Sequence, residues 1–429
     1  VSAAVFGLAP ALQASGANLS ESLKEGSAGA GESAGRRRVR NLLVVGETAF
    51  SFILLIGAGL LGRSFLRLQR VELGFEPAEV LTSGMSLPRT KYAKPEQWLA
   101  FYRQLVEGLK AEPGADTVTA ALPLPLSGGG LNFAFQIEGR QAAGPAADLS
   151  ANYTAVLGDY FRVLGVRLVS GRLFDGRDAA GFPNVCLISS AFARQHFPGE
   201  NPLGRRLRFG LKEGVSREIV GIVSDVKRDG PGVPSKPEMY VPFAQDPWWA
   251  AYVAIRVKPG RDPMALAPAI RRQVRALDPE MPVADIQPFS QAVSDAMAQP
   301  RFRTTLLGLF GATALLLAVV GIYGVISYTV GRRTREVGIR LTLGASPADV
   351  LRLILTQGIG LTAVGLAFGA AGAILLTRSL SSLLFEVSPL DVPTWTGVAA
   401  TLLAAGLAAC WVPARRAMRV DPVRALRHE

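Results

Sequence analysis

Cysteine and histidine are nearly missing from this chain, with two of each in 429 residues. Cys186 lies in a polar block and Cys410 in an apolar stretch, and there is no CxxC pair. Neither a disulfide framework nor a zinc or redox motif follows from them. His196 and His428 are solitary, which excludes a histidine-built metal cluster. Net charge is also missing from most of the chain. Residues 71–300 hold 25 Lys+Arg against 24 Asp+Glu, so only +1 of the formal +12 lies there. That block offers no electrostatic footprint for nucleic acid. No Ser/His/Asp set is evident. Ser127-Gly128-Gly129-Gly130 lacks the Lys-Ser/Thr of a phosphate loop and reads as a flexible loop. Asp175 and Asp178 lack the other ligands of a calcium loop and read as a turn. The sequence therefore predicts no catalytic site, cofactor or metal of its own. No secretory signal peptide is visible and the first residue is Val, so the sequence reads as a fragment of a longer protein.

What the chain does have is four long apolar runs, 41–62, 305–330, 350–377 and 394–413. Each is long enough to cross a hydrocarbon core of ~30 Å as a helix. They are split one against three by the polar block. The remaining positive charge flanks them: residues 1–70 carry 8 Lys+Arg against 4 Asp+Glu, and 301–429 carry 13 against 6. Lys24, Arg36, Arg37, Arg38 and Arg40 precede span one, and Arg332, Arg333, Arg335 and Arg340 follow span two. Arg415, Arg416, Arg419, Arg424 and Arg427 follow span four. An even span count and the positive-inside rule predict both termini in the cytoplasm and residues 75–295 outside the inner membrane. Arg63, Arg67 and Arg70 run against this pattern and predict a stalk helix that prolongs span one.

The middle block reads as α+β. Strands are expected at 79–87, 117–122, 132–137, 151–157, 185–188, 217–226, 238–241 and 252–257. Helices are expected at 95–110, 191–196 and 262–277. Trp98, Phe101, Tyr102, Leu105 and Leu109 make one face of the first helix. The irregular alternation argues against a purely parallel sheet. His196 reads as a helix-end residue, and Trp248-Trp249 as either a contact surface or part of the core.

Residues 1–26 are similar to the chain's own tail. With Pro10 set on Pro413, Ala11, Ala14 and Leu23 match Ala414, Ala417 and Leu426, while Asn18 and Lys24 stand for Asp421 and Arg427. This suggests an internal duplication of which only the tail of the first copy is present. Residues 27–40 then read as a cytoplasmic linker. Between spans two and three, Arg332–Ala345 (RRTREVGIRLTLGA) reads as a short charged amphipathic helix in which Glu336 and Arg340 form an i, i+4 pair. Ser346-Pro347-Ala348-Asp349 has the pattern of an N-cap, a first-turn Pro and an acidic third position that launch span three. Within the spans, Glu47 lies roughly 9 Å deep at 1.5 Å per residue from Asn41. An intramembrane carboxylate either meets another span or reaches back towards Arg40, and Gln357 poses the same choice. Gly365, Gly369 and Gly372 give span three a small-residue face for close helix approach.

The stretch Thr334-Arg335-Glu336-Val337-Gly338-Ile339-Arg340, followed by Leu343-Gly344-Ala345, resembles the T-R-E-I-G-I-R-x-A-L-G-A signature of MacB/FtsX-type ABC transporter permeases. Val337 and Thr342 are mild departures from it. The middle block is similar to the family at 165–174, Ala191-Phe192-Ala193-Arg194, 198–204 and 219–226. With the tail repeat, the nearest likeness is to the duplicated orphan permease group. The resemblance implies a four-span transmembrane bundle (1+3) with a large α+β periplasmic domain, in the bacterial inner membrane. Its domains would be a preceding repeat's tail (1–26), linker (27–40), span one (41–62), stalks and MacB-like core (63–304), span two (305–330), coupling segment (331–349), span three (350–377), span four (394–413) and tail (414–429). Residues 305–429 would be the FtsX-like part. The implied function is that of a permease subunit. It would couple ATP hydrolysis on a separate subunit to motion of the periplasmic domain, for export or extraction of cargo. Its partners would be that ATP-binding subunit, membrane lipids and a second permease half, in the same chain or a dimer. The residue readings leave two rivals open: an ATPase-independent membrane-anchored sensor or scaffold, and a membrane-bound periplasmic enzyme, against which the missing catalytic set argues.

Overall fold

The computed structural model describes residues 34–140, 149–209, 214–332, 340 and 346–418. The tail-like segment 1–26, most of the expected linker and residues 419–429 lie outside them. The chain divides into two compact units, Phe65–Arg303 and the combination of Val1–Ser64 with Thr304–Glu429.

In the first unit the elements run β1 (Val80–Ser86), α2 (Pro95–Lys110), β2 (Ala115–Leu122), β3 (Leu131–Ile137), β4 (Leu149–Gly158), α3 (Tyr160–Leu164), β5 (Leu168–Gly171), β6 (Val185–Ser189) and α4 (Ser190–His196). They continue with β7 (Arg206–Phe209), β8 (Val215–Val223), β9 (Glu238–Pro242), β10 (Ala250–Val257), α5 (Ala267–Leu277), β11 (Ala284–Pro288) and α6 (Phe289–Ala296). The strands join in the order β11-β1-β10-β2-β4-β3-β7-β8-β6-β9. Strand β9 then returns to β4 in parallel, with Tyr153 opposite Met239. Six strands thus close into a ring, a geometry that removes exposed edges. Four antiparallel strands extend from it, and β5 pairs with β8.

Successive residues on these strands enter different cores because strand side chains alternate faces. Leu81, Ala120, Val253, Ile255, Met239 and Val241 join one cluster. Their neighbours Val80, Ala121, Ala254 and Tyr240 join the other. Burial on both faces is why these strands read as nearly continuous apolar runs. Helix α2 covers the first face with Trp98, Phe101, Tyr102, Leu105, Val106 and Leu109. It starts at Pro95, and Gln97 Oε1 accepts from Lys94 N at 3.0 Å. The Tyr102 hydroxyl is shared between Met85 O and Trp249 O, each at 3.2 Å. Phe75 and Phe289 stack at 5.2 Å in the second cluster.

Both clusters are built from residues between Leu73 and Val293. A fragment covering 72–297 is therefore expected to fold alone and to melt with a cooperative thermal transition, as a unit with its own core does. A featureless melt by circular dichroism would show that this unit depends on the spans.

Three sequence expectations shift. The helix expected over 262–277 is a 3-10 turn, Pro263–Leu266, followed by α5. Pro268 has no N–H to donate and its ring crowds the carbonyl four residues back, so the α-helix begins only at Ala267. Strand β8 stops at Val223, because Asp225 turns aside to accept from Ala191 N and Arg194 Nη2, both at 2.5 Å. The fourth span continues through Pro413 to Ala417.

The second unit holds α1 (Ala34–Leu68), α7 (Ala298–Arg332), α8 (Pro347–Leu380) and α9 (Val392–Ala417). All four are long and apolar enough to cross a membrane. Helix α1 runs past residue 62 to Leu68, so Arg63 and Arg67 sit on its continuous C-terminal end.

Candidate functional site

Helix α1 packs against both α7 and α8, and its side-chain sizes shape the two contact faces. Towards α7 it presents Arg40, Glu47, Ser51 and Leu55 at helical spacing. Arg40 Nη2 donates to Thr329 Oγ1 at 3.4 Å, and its guanidinium lies 4.5 Å from the Tyr328 ring centre. The Glu47 carboxylate sits against Gly321, where a Cβ would overlap Oε2. Ser51 Oγ is 2.7 Å from both Glu47 O and Ala314 O, so one hydroxyl links the two helices. Leu55 lies against Gly311. The pairs 40–329, 47–321, 51–314 and 55–311 define an antiparallel register. Glu47 thus faces α7, and it makes no ion pair among the described residues.

Towards α8 the same helix presents Thr48, Ala49 and Phe52. A Cβ on Gly365 would fall 2.6 Å from Thr48 Cβ, and one on Gly369 would fall 3.0 Å from Ala49 O. The small-residue face of α8 is therefore taken up inside the chain. Gln357 is half-buried and lines a small space with Ile326, Thr329, Val330, Val350 and Ile354. Helices α8 and α9 meet where Cys410 Sγ fills the place of a Gly358 side chain.

Helix α8 starts on the expected cap. Ser346 Oγ accepts from Asp349 N at 3.3 Å, and Ser346 N donates to Asp349 Oδ2 at 3.0 Å. Of the segment expected to couple to an ATPase, Arg340 is helical and exposed. Thr334, Arg335, Glu336, Val337, Gly338, Ile339, Leu343, Gly344 and Ala345 lie outside the described residues.

Two features escaped the sequence reading. Arg63, taken as a charge out of place, pairs with Asp391 at 2.5 Å. Asp391 also caps α9, accepting from Thr394 N at 3.1 Å and Thr394 Oγ1 at 2.6 Å. The Thr394 hydroxyl foremost, with Arg63 adding to it, holds the Asp391 carboxyl below its usual range. Ser64 Oγ accepts from Phe385 N at 2.8 Å nearby. An Asp-x-Pro-Thr pattern at a span's start was the available signal. The other feature is a buried ion pair in the first unit, Arg228 Nη1 to Glu238 Oε1 at 3.2 Å, with both side chains 5% exposed. No pattern local in sequence marks it.

Asp175 and Asp178 form the expected turn. Asp178 is gripped by Arg172 through Nη1 and Nη2, at 2.7 and 2.8 Å. His196 ends α4, buried against Phe135 and Phe192. Trp248 and Trp249 are half-buried, ring centres 5.6 Å apart, with Trp249 edge-on to Trp98.

One long helix, a strand-rich unit and three more long helices is the arrangement to be matched. The profile of the MacB-like periplasmic core domain matches residues 43–273, more than half of the chain. That of the FtsX-like permease C-terminal region matches 308–422. The chain belongs to the MacB/FtsX family of ABC transporter permeases. Among curated proteins of this family, the pyoverdine export ATP-binding/permease protein PvdT of Pseudomonas putida is 30% identical over 275 residues, 61% of this chain and 40% of that protein. The macrolide export ATP-binding/permease protein MacB of Escherichia coli K12 is 27% identical over 302 residues, 66% of this chain and 44% of that protein. The chain thus spans less than half the length of these relatives. A solved structure of the periplasmic region of MacB from Actinobacillus actinomycetemcomitans covers 51% of this chain and 92% of its own, at 14% identity and a TM-score of 0.36.

Proposed function

We propose that this MacB/FtsX-family chain is the permease subunit of an export system, in which ATP hydrolysis on a separate subunit moves the middle domain outside the membrane. The observation that carries this reading is the path of the helices. The segment 333–345 joins α7 to α8, and both helices lock onto α1 through glycines and Ser51. Helices α1 and α7 each run unbroken for 35 residues, ~52 Å at 1.5 Å per residue. Their outer ends lead directly into the two ends of the middle domain. A push on the segment therefore has a rigid covalent route out of the membrane. The flanking arginines support a cytoplasmic position for both termini and for 331–349, and a periplasmic position for 75–295. The printed names of PvdT and MacB join ATP-binding and permease parts, which supports an ATP-binding partner and export as the direction of work. Cargo is export or extraction substrate reached from the periplasmic side. Membrane lipids and a second permease half complete the assembly.

Arg335, Glu336 and Arg340 are the proposed polar contacts to the ATP-binding subunit, with Val337, Ile339 and Leu341 divided between docking and packing. The Glu336→Arg variant places a like charge beside Arg340. It is expected to weaken capture of the partner roughly 30-fold or more, the scale of a disrupted interfacial charge contact, with membrane insertion unchanged. Pull-down with ATP-binding subunits of the native host, with and without nucleotide, reads this. If wild type captures none in either state, the chain acts as a scaffold. If the variant binds as well as wild type, the segment is only a positively charged loop.

A further inference from the structure

Where α1 ends and α7 begins, the first unit carries an open groove of about 470 Å³. Phe65, Leu68, Leu73, Val293 and Met297 supply its apolar lining, and Arg301 stands among them. Next to these lining residues in sequence, exposed apolar and cationic side chains alternate. Leu66 is 55% and Phe302 66% exposed, between or beside Arg67, Arg70, Arg301 and Arg303. Arg63 has its charge answered by Asp391, whereas Arg67, Arg70 and Arg303 make no ion pair among the described residues. The nearby acids in sequence are Glu72 and Asp295, and Asp295 already accepts from Gln291 at 2.8 Å. This surface belongs at a membrane–water boundary, since it continues two spanning helices and mixes apolar side chains with long cationic ones. Yet it lies at the end of the spans where the positive-inside rule expects few arginines. A groove with Phe65, Leu68 and Met297 in its lining, one arginine among them and exposed arginines beside them in sequence complements an amphiphile with a negative head.

We propose that this groove binds an anionic phospholipid of the adjoining leaflet, acyl chain against Phe65, Leu68 and Met297 and phosphate among Arg67, Arg70, Arg301 and Arg303. The inference rests on the reading that α1 and α7 cross the membrane. It adds a lipid site to the permease, independent of the ATP-binding partner.

The test uses the full chain in vesicles of phosphatidylcholine with about one tenth phosphatidylglycerol, which leaves room for the enrichment expected of an anionic headgroup. A photo-crosslinking benzoylphenylalanine replaces Gln69 at the groove mouth, or Leu316 on the exposed face of α7 as a control. Captured lipid is identified by intact mass. At position 69, phosphatidylglycerol is expected about fivefold above its mole fraction, the scale of one arginine's attraction at an anionic surface. At position 316 it should match its mole fraction. The R67Q/R70Q/R301Q/R303Q variant should bring position 69 down to the mole fraction and leave position 316 unchanged. No enrichment at 69, or enrichment that survives the four substitutions, overturns the proposal. Loss of enrichment on adding millimolar glycerol phosphate also overturns it, in favour of a free phosphate site. Absence of any lipid adduct at 316 would instead contradict the membrane placement of α7.

Discussion

Replacing Arg228 by Met should lower the melting temperature of the 72–297 unit by roughly 10 °C at neutral pH. That follows from a loss of about 3–5 kcal/mol when a buried ion pair keeps only one partner, at about 2–4 °C per kcal/mol for a domain of this size. Glu238 is held by Arg228 at 3.2 Å and by the Thr154 hydroxyl at 2.8 Å. Burial already pushes its carboxyl above the usual range, against the pull of Arg228. Without the cation, the Thr154 hydroxyl is left to offset the desolvation of the charge. The sign of the pH dependence follows. A carboxyl whose folded pKa is raised favours the folded state when protonated, and that advantage is lost as pH rises through the folded value. The deficit of Arg228→Met should therefore shrink on acidification from pH 7.5 to 5.5. Adding Glu238→Gln should recover most of it at neutral pH. Thermal melts of the three proteins at the two pH values check this. A change below 2 °C for Arg228→Met would mean that the pair is not buried as described.

The double variant Gly365→Leu/Gly369→Leu should abolish the monodisperse state of the full chain in mild detergent. Each glycine lies against α1 itself. A Cβ at 365 would fall 3.1 Å from Val45 O, and one at 369 would fall 3.1 Å from Ala49 Cα. Backbone cannot rotate aside as a flexible side chain can, so α1 and α8 must separate. Overpacking costs about 1–3 kcal/mol per site, and two leucines exceed any local adjustment. Size-exclusion chromatography reads the outcome, with Gly397→Leu as the control because nothing lies within 4 Å of that position. If the double variant elutes like the control, α8 does not pack on α1 in this way.

What could be read from the sequence tracks how local each feature is. The four spans, helix α2 and the cap at Ser346 are written in stretches of four to thirty residues, through apolar length, helical spacing and the Ser-Pro-x-Asp pattern. Most strands were legible because burial on both faces makes them apolar throughout. Strands β5, β7 and β11 were not. They are four or five residues long, and the side chains of β5 are all exposed. The closure of β9 onto β4 joins residues more than eighty positions apart, and no local pattern encodes it. Asp391 illustrates the same limit. Its capping role was readable from Thr394, but its charge partner Arg63 comes from another helix. The likeness of 334–345 to the family signature named the family. It left Glu47 and Gln357 as choices, because which helix a span's polar residue faces is decided by packing.

The proposed topology sets the middle domain and segment 333–345 on opposite sides of the bilayer. A cysteine introduced at Ser235 or at Ser346, one at a time, tests this in intact spheroplasts treated with a membrane-impermeant maleimide. Cys186 and Cys410 are buried, so unmodified chain serves as the low-labelling control. Position 235 is expected to be labelled, and position 346 only after the membrane is opened. Labelling of 346 without 235 in intact cells would contradict it.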